Sequence, residues 1–244
     1  MNRLRNRRTL LAAMLAVCGA SSAAATNIEW LNMSPTPFGS PVPNNSVFNL
    51  PGVGPVTVTY SIPSTFGHVR FLNPLFQNGS VPGYSWTAQE LFGATNYSPD
   101  PLGTANWSIT YTFAGTIPAG TLFVGVSGLG RTTSYGGLAS TATVNQNGLF
   151  LGDWTGGGNY GATQFISGVG SFTLQNSVSG PGGQDPWWNT ALAVVQILDP
   201  VSSLTVYFSQ LAGDGVGVNI AAIPEPTTFG LFGLGALLLP RRRR

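Results

Sequence analysis

The chain holds one cysteine, one histidine and no lysine among its 244 residues. Each scarcity removes a class of chemistry. A lone thiol closes no intramolecular disulfide, and without further Cys or His partners no zinc centre can be assembled. His68 is the sole imidazole that a Ser-His-Asp triad could use, and no Gly-x-Ser-x-Gly elbow accompanies it. Charged residues make up only 7% of the sequence. Long hydrophobic runs are missing too. The longest near-continuous one, Thr227 to Leu239, has 13 residues, which at ~1.5 Å each span about 20 Å of a ~30 Å hydrocarbon core.

The few charges are unevenly placed. Eight of the ten arginines sit at the two ends: Arg3, Arg5, Arg7 and Arg8 at one, Arg241, Arg242, Arg243 and Arg244 at the other. Between Thr26 and Ile223 only Arg70 and Arg131 remain, against Glu29, Glu90, Asp100, Asp153, Asp185, Asp199 and Asp214. Two bases against seven acids give this segment a charge of −5, so the whole-chain value of +2 misdescribes it. Two separated cations cannot neutralise a run of phosphates, which excludes nucleic acid as a partner.

The first 25 residues have the form of a signal peptide. A basic stretch precedes the modest apolar stretch Leu10 to Val17, and Ala23-Ala24-Ala25 offers small residues for signal peptidase to cut before Thr26. Arg7-Arg8-Thr9-Leu10-Leu11 partly resembles a twin-arginine signal, so both that route and the favoured Sec route stay open. Val17 is too bulky before Cys18 for a lipoprotein box. The cut would remove Cys18, leaving the exported segment without a thiol.

The other end carries the most specific signal. Pro224-Glu225-Pro226 is followed by the short apolar run, then by Arg241 to Arg244. Two prolines fix an extended backbone, the apolar run enters a bilayer as a short helix, and the arginines hold its far end on the anionic cytoplasmic side. Gly230, Gly233 and Gly235 weaken that helix, so the run suits transient anchoring better than permanent anchoring. This order resembles the PEP-CTERM sorting signal of exported bacterial proteins. The resemblance is confined mainly to residues 224–244. It implies an exosortase as a partner acting near Pro224, Glu225 and Pro226, and a mature form at the cell surface or in the extracellular matrix.

The 198 residues between the signals are long enough for one sizeable core. Val56 to Ile62 and Trp107 to Phe113 alternate apolar and polar residues with period two. Further strands are predicted at His68–Leu72, Thr121–Val126, Ala139–Val144, Gln164–Ile166, Ser171–Leu174, Ala191–Leu198, Leu204–Ser209 and Val216–Ala222. Gly and Pro clusters punctuate nearly every gap. Only Gln89 to Phe92 could form a helical turn. Asn27 to Leu50, rich in Pro and Asn, reads as irregular surface chain. Leu204–Ser209 and Val216–Ile220, joined through Gln210 to Gly215, read as a terminal hairpin, a feature common in adhesin-like domains before PEP-CTERM tails. The expected architecture is all-β: residues 26–223 form a single antiparallel, jelly-roll-like β-sandwich, flanked by the signal peptide and the short C-terminal helix.

Three chemistries can be placed on this frame. Sugar contact is the first: aromatic rings stack on pyranose faces while acids and amides bind hydroxyls. Asp185, Trp187 and Trp188 in one Gly-rich loop, and Trp154 with Tyr160 near Asp153, are the candidates. The competing role for Trp187 and Trp188 is to cap one end of the sandwich core. The second is a structural calcium on loop carboxylates, with Asp153, Asp185 and Asp214 beside glycines but no spaced ligand loop. Otherwise no cofactor is expected. The third is glycoside hydrolysis, which needs two facing carboxylates that no local motif announces. Sparse charge and abundant Ser, Thr, Asn and Gly suit contact with polysaccharide. The expectation is a non-catalytic structural or adhesive component of exopolysaccharide or biofilm. A module for a defined glycan is the alternative, and a hydrolase comes third.

Overall fold

A computed structural model describes residues 24–33, 39–64, 66, 68–72, 78–88, 91–95, 103–132, 138–154, 156, 160–178 and 189–224. Among these residues there is no helix. The described strands begin with β1 (Thr26–Asn27), β2 (Glu29–Trp30), β3 (Ser46–Leu50), β4 (Gly54–Ser61) and β5 (Arg70–Leu72). There follow β6 (Gly79–Val81), β7 (Tyr84–Trp86), β8 (Leu91–Thr95), β9 (Thr104–Ile117), β10 (Leu122–Ser127) and β11 (Thr141–Val144). The last strands are β12 (Gly148–Trp154), β13 (Thr163–Ser167), β14 (Phe172–Asn176), β15 (Leu192–Ile197), β16 (Val201–Leu211) and β17 (Gly215–Ala222).

They build three layers. The outer sheet has the order β13-β14-β11-β16-β9-β4-β3, and every pair in it is antiparallel. The middle sheet runs β12-β15-β10-β17-β8-β5, with β2 also beside β17. A small cap sheet, β1-β7-β6, lies against the far side of the middle sheet, and its β1–β7 pair is parallel. The all-β sandwich expected from the sequence is therefore what forms, with one thin layer added.

Layering explains the sequence pattern. The outer sheet has one wet face, so β9 and β16 alternate: Trp107, Ile109, Tyr111 and Phe113 point inward, as do Leu204, Val206 and Phe208. In the middle sheet, β10, β15 and β17 are covered on both faces and read as nearly unbroken apolar runs, Leu-Phe-Val-Gly-Val in β10. Their odd and even residues enter two different cores. Val124, Val195 and Ile220 join the main core against the outer sheet, whereas Phe123, Val194 and Ala221 join a second core with Ile28, Trp30 and Trp86. Gly125 makes room for this second core, because a Cβ there would run into the Trp30 ring.

Three expectations need correction. Of Gln89–Phe92, expected as a helical turn, Leu91 and Phe92 instead open β8 and face opposite cores, while Gln89 and Glu90 lie outside the described residues. Asn27–Leu50 is not merely surface wrapping: it supplies three short strands and the fully buried Ile28, Leu31, Met33 and Leu50. The terminal hairpin does not exist. β16 pairs with β9 and β11 in the outer sheet, whereas β17 pairs with β10, β8 and β2 in the middle sheet. Gly213, at a φ of 74°, turns the chain from one layer to the other. Burial of both strands favours separate layers, since a hairpin would leave one face of β17 in water.

The molecule has a base and a top. Ala222 faces Leu122 at the base, where Ile117 and Val201 also pair. At the top, Ser127 faces Gly217, and Gly103, Gly130, Asp214 and Thr190 lie in the connections. Gln210 joins the layers there, accepting from Trp107 Nε1 at 2.7 Å and donating to Ala94 O at 2.9 Å. Pro224 follows β17 at the base; the expected C-terminal helix, Glu225, Pro226 and Arg241 to Arg244 lie outside the described residues.

Candidate functional site

The wet face of the outer sheet is formed by the polar halves of the alternating strands. Its residues are Thr57, Thr59 and Ser61 on β4; Asn106, Ser108, Thr110 and Thr112 on β9; and Ser203, Thr205, Tyr207 and Ser209 on β16. β11 adds Thr141 and Thr143, β14 adds Thr173 and Gln175, and β13 adds Gln164 and Ile166. None of these side chains carries a formal charge.

Register aligns them into rows. One row runs Ser61, Ser108, Tyr207, Thr143, Thr173, Ile166 across six strands, which at ~4.8 Å per strand spacing is about 24 Å long. Tyr207 lies within it, is 52% exposed, and is the one aromatic ring on this face among the described residues. An open depression of about 440 Å³ surrounds it, lined by Ser61, Asn106, Ser108, Thr141, Thr143 and Ser209, with Trp107 and Phe208 beneath. The floor is stiff, because Trp107 stacks on Phe208 with centroids 4.4 Å apart and planes 13° apart. Neighbouring hydroxyls hold one another: Thr110 and Thr205 Oγ1 are 2.9 Å apart, as are Thr143 and Thr173. Each such pair keeps spare lone pairs for a further donor. Chemically, this face offers hydroxyl and amide hydrogen bonds around one ring, with no group suited to acid–base or nucleophilic work at neutral pH.

The aromatic candidates from the sequence lie elsewhere. Asp185, Trp187 and Trp188 fall outside the described residues; the flanks of their segment, Val178 and Asn189, are at the top, where Gly161 N donates to Asn189 O at 2.9 Å. Asp153 and Trp154 are successive residues of β12 and point to opposite faces. Trp154 is half-buried in the second core, edge-on to Trp86 at 6.1 Å. Its ring packs on that core. Asp153 points between the two large sheets, where Oδ2 accepts from Thr163 N at 2.8 Å. Tyr160 is 40% exposed at the same end. Asp153 Oδ1, Thr163 Oγ1, Asn189 Oδ1 and Arg131 Nε are buried without a hydrogen-bond partner.

The calcium candidates are separated by role. Asp214 is 2% exposed, and its carboxyl accepts from the Ser140 hydroxyl, from Gly130 N at 3.1 Å and from Gly215 N at 2.9 Å. Burial pushes its pKa up to about 6, against the pull of these three donors. It ties the top connections together. Among the described residues no three of His, Cys, Asp and Glu converge as a metal would need. His68 accepts from Arg70 Nε at 2.6 Å, a local contact beside β5. At the processing sites, Ala25 and Thr26 are exposed, Pro224 is half-buried, and Ala23 is outside the described residues.

No protein-family model matches the chain, and no curated protein matches it. Among solved structures it is similar to the enzymatically active domain of tailspike protein 4 of bacteriophage CBA120. That likeness has a TM-score of 0.30 at 12% identity, covering 68% of this chain and 19% of that one. Similarity at this level assigns neither activity nor ligand.

Sequence reasoning missed Tyr207 and its row. The usable signal was the polar phase of the period-two pattern, Thr57-x-Thr59, Thr110-x-Thr112, Thr141-x-Thr143 and Thr205-x-Tyr207. Each motif is unremarkable alone, and only the sheet order collects them.

Proposed function

We propose that this chain is an exported structural or adhesive protein of the extracellular polysaccharide matrix, sorted through its PEP-CTERM-like tail, that holds glycan on the outer face of its sandwich. One observation carries the reading: an uncharged face of hydroxyls and amides with a single exposed tyrosine in an open depression. Sugars offer hydroxyls to bond and an apolar ring face to cover, and a tyrosine supplies a rigid ring at low entropic cost. The absence of a base on this face, with −5 on residues 26–223, favours neutral over acidic polymers.

The test is retention on insoluble polysaccharides and glycan arrays. Tyr207→Ala weakens binding by about tenfold, equivalent to ~1.4 kcal/mol. Trp187→Ala and Trp188→Ala leave it unchanged. Loss in the tryptophan variants alone would move the site to the segment of Trp187 and Trp188 and favour the defined-glycan module. Absence of binding to any glycan would end the adhesive reading. The sorting half is tested by intact mass: the recovered protein starts at Thr26 and ends within Pro224 to Pro226. Retention of Arg241 to Arg244 would overturn it.

A further inference from the structure

The two ends of the folded segment leave it side by side. Trp30 pairs with Ala221 and Glu29 with Ala222, so β2 lies along the end of β17. Thr26 N donates to Gly83 O at 2.9 Å, and Ile223 N donates to Thr121 O at 3.1 Å. β17 is an interior strand, with β10 along one side and β8 and β2 along the other. Ala221 is 0% and Ala222 1% exposed. Pro224 follows Ala222 after a single residue. No linker separates an interior strand from Pro224-Glu225-Pro226.

An enzyme that cuts a peptide bond takes several residues on each side as extended chain, with backbone groups free to pair. Upstream of Pro224 those residues are the end of β17, already paired on both edges. The same backbone cannot serve the sheet and the enzyme at once. We propose that folding of β17 and cutting near Pro224-Glu225-Pro226 exclude each other: the tail is cut only while the end of β17 is out of the sheet, before the domain closes or during local opening. The inference rests on the sorting reading of the tail. In the cut, the acyl carbon passes to water or to an amine acceptor, and the arginine-ended tail leaves as the amine. The fold contributes control of access, so the free energy of local opening sets the rate.

The experiment follows cutting of the full chain by pulse-chase in cells that carry the processing enzyme. Three changes are compared with the natural chain: a six-residue Gly-Ser linker after Ile223, Trp30→Ala, and both together. Trp30→Ala loosens β2 from β17 without touching the tail. The linker speeds cutting by about tenfold, the rate equivalent of ~1.4 kcal/mol of opening. Trp30→Ala speeds cutting in the natural chain but adds nothing once the linker is present. Equal rates with and without the linker overturn the inference while leaving the sorting reading intact. No cutting in any chain removes the sorting reading and the inference with it. Should Trp30→Ala fail to fold, the linker comparison decides alone.

Discussion

Asp214 shows how one side chain can bind a fold to pH. It is a buried carboxyl with three donors and no cation beside it, so burial raises its pKa from 3.8 to about 6. Between those values the unfolded chain has lost its proton and the folded chain has kept it. Stability is therefore greatest below pH 4, falls as pH rises toward 6, and is level above. Two pKa units correspond to about 3 kcal/mol. Urea midpoints at pH 4 and pH 7 should show this fall, and Asp214→Asn should flatten it; an unchanged slope would assign it to other groups. Sequence alone presents Asp214 as a turn acid between two glycines, with calcium the weaker reading. What it hides is that Ser140 and Gly130, more than seventy residues upstream, close on the same carboxyl.

Elements were legible in proportion to how much water they touch. β4, β9 and β16 announce themselves because one face is wet and one dry. β10, β15 and β17 are visible as apolar runs, but nothing local tells which core takes which residue. The cap sheet was not legible at all: its strands have two or three residues, too short for any period. Pairing was the hardest part, and β16 and β17 looked like a hairpin because proximity in sequence is a poor guide once each strand needs a different layer. The cap sheet nonetheless holds real packing. Trp86, 2% exposed, meets Trp30 at 5.7 Å and Trp154 at 6.1 Å, both edge-on. Trp86→Ala should cost about 3–5 kcal/mol in urea unfolding. Tyr207→Ala, on the wet face, should stay within ~0.5 kcal/mol. A small effect at Trp86 would mean the cap sheet is dispensable.

At the scale of the molecule, the wet face lies on one side of the sandwich and the cap sheet, with Thr26 in its β1, on the other. Tyr207 projects from the middle of β16 on the side away from the cap sheet, whereas β17 ends at the base. The candidate site was legible only as composition, hydroxyls without charge, because the depression draws its residues from four strands, β4, β9, β11 and β16, that lie far apart in sequence. Its aromatic member, a lone tyrosine in a strand, has no local distinction in the sequence, where paired loop tryptophans stand out instead. One property of that face reaches beyond the fold. Ions in solution weaken contacts between charges within about a nanometre, and here there are no charges to weaken. Retention of glycan should be the same in dilute buffer and in molar sodium chloride, where a lysine-lined surface would let go.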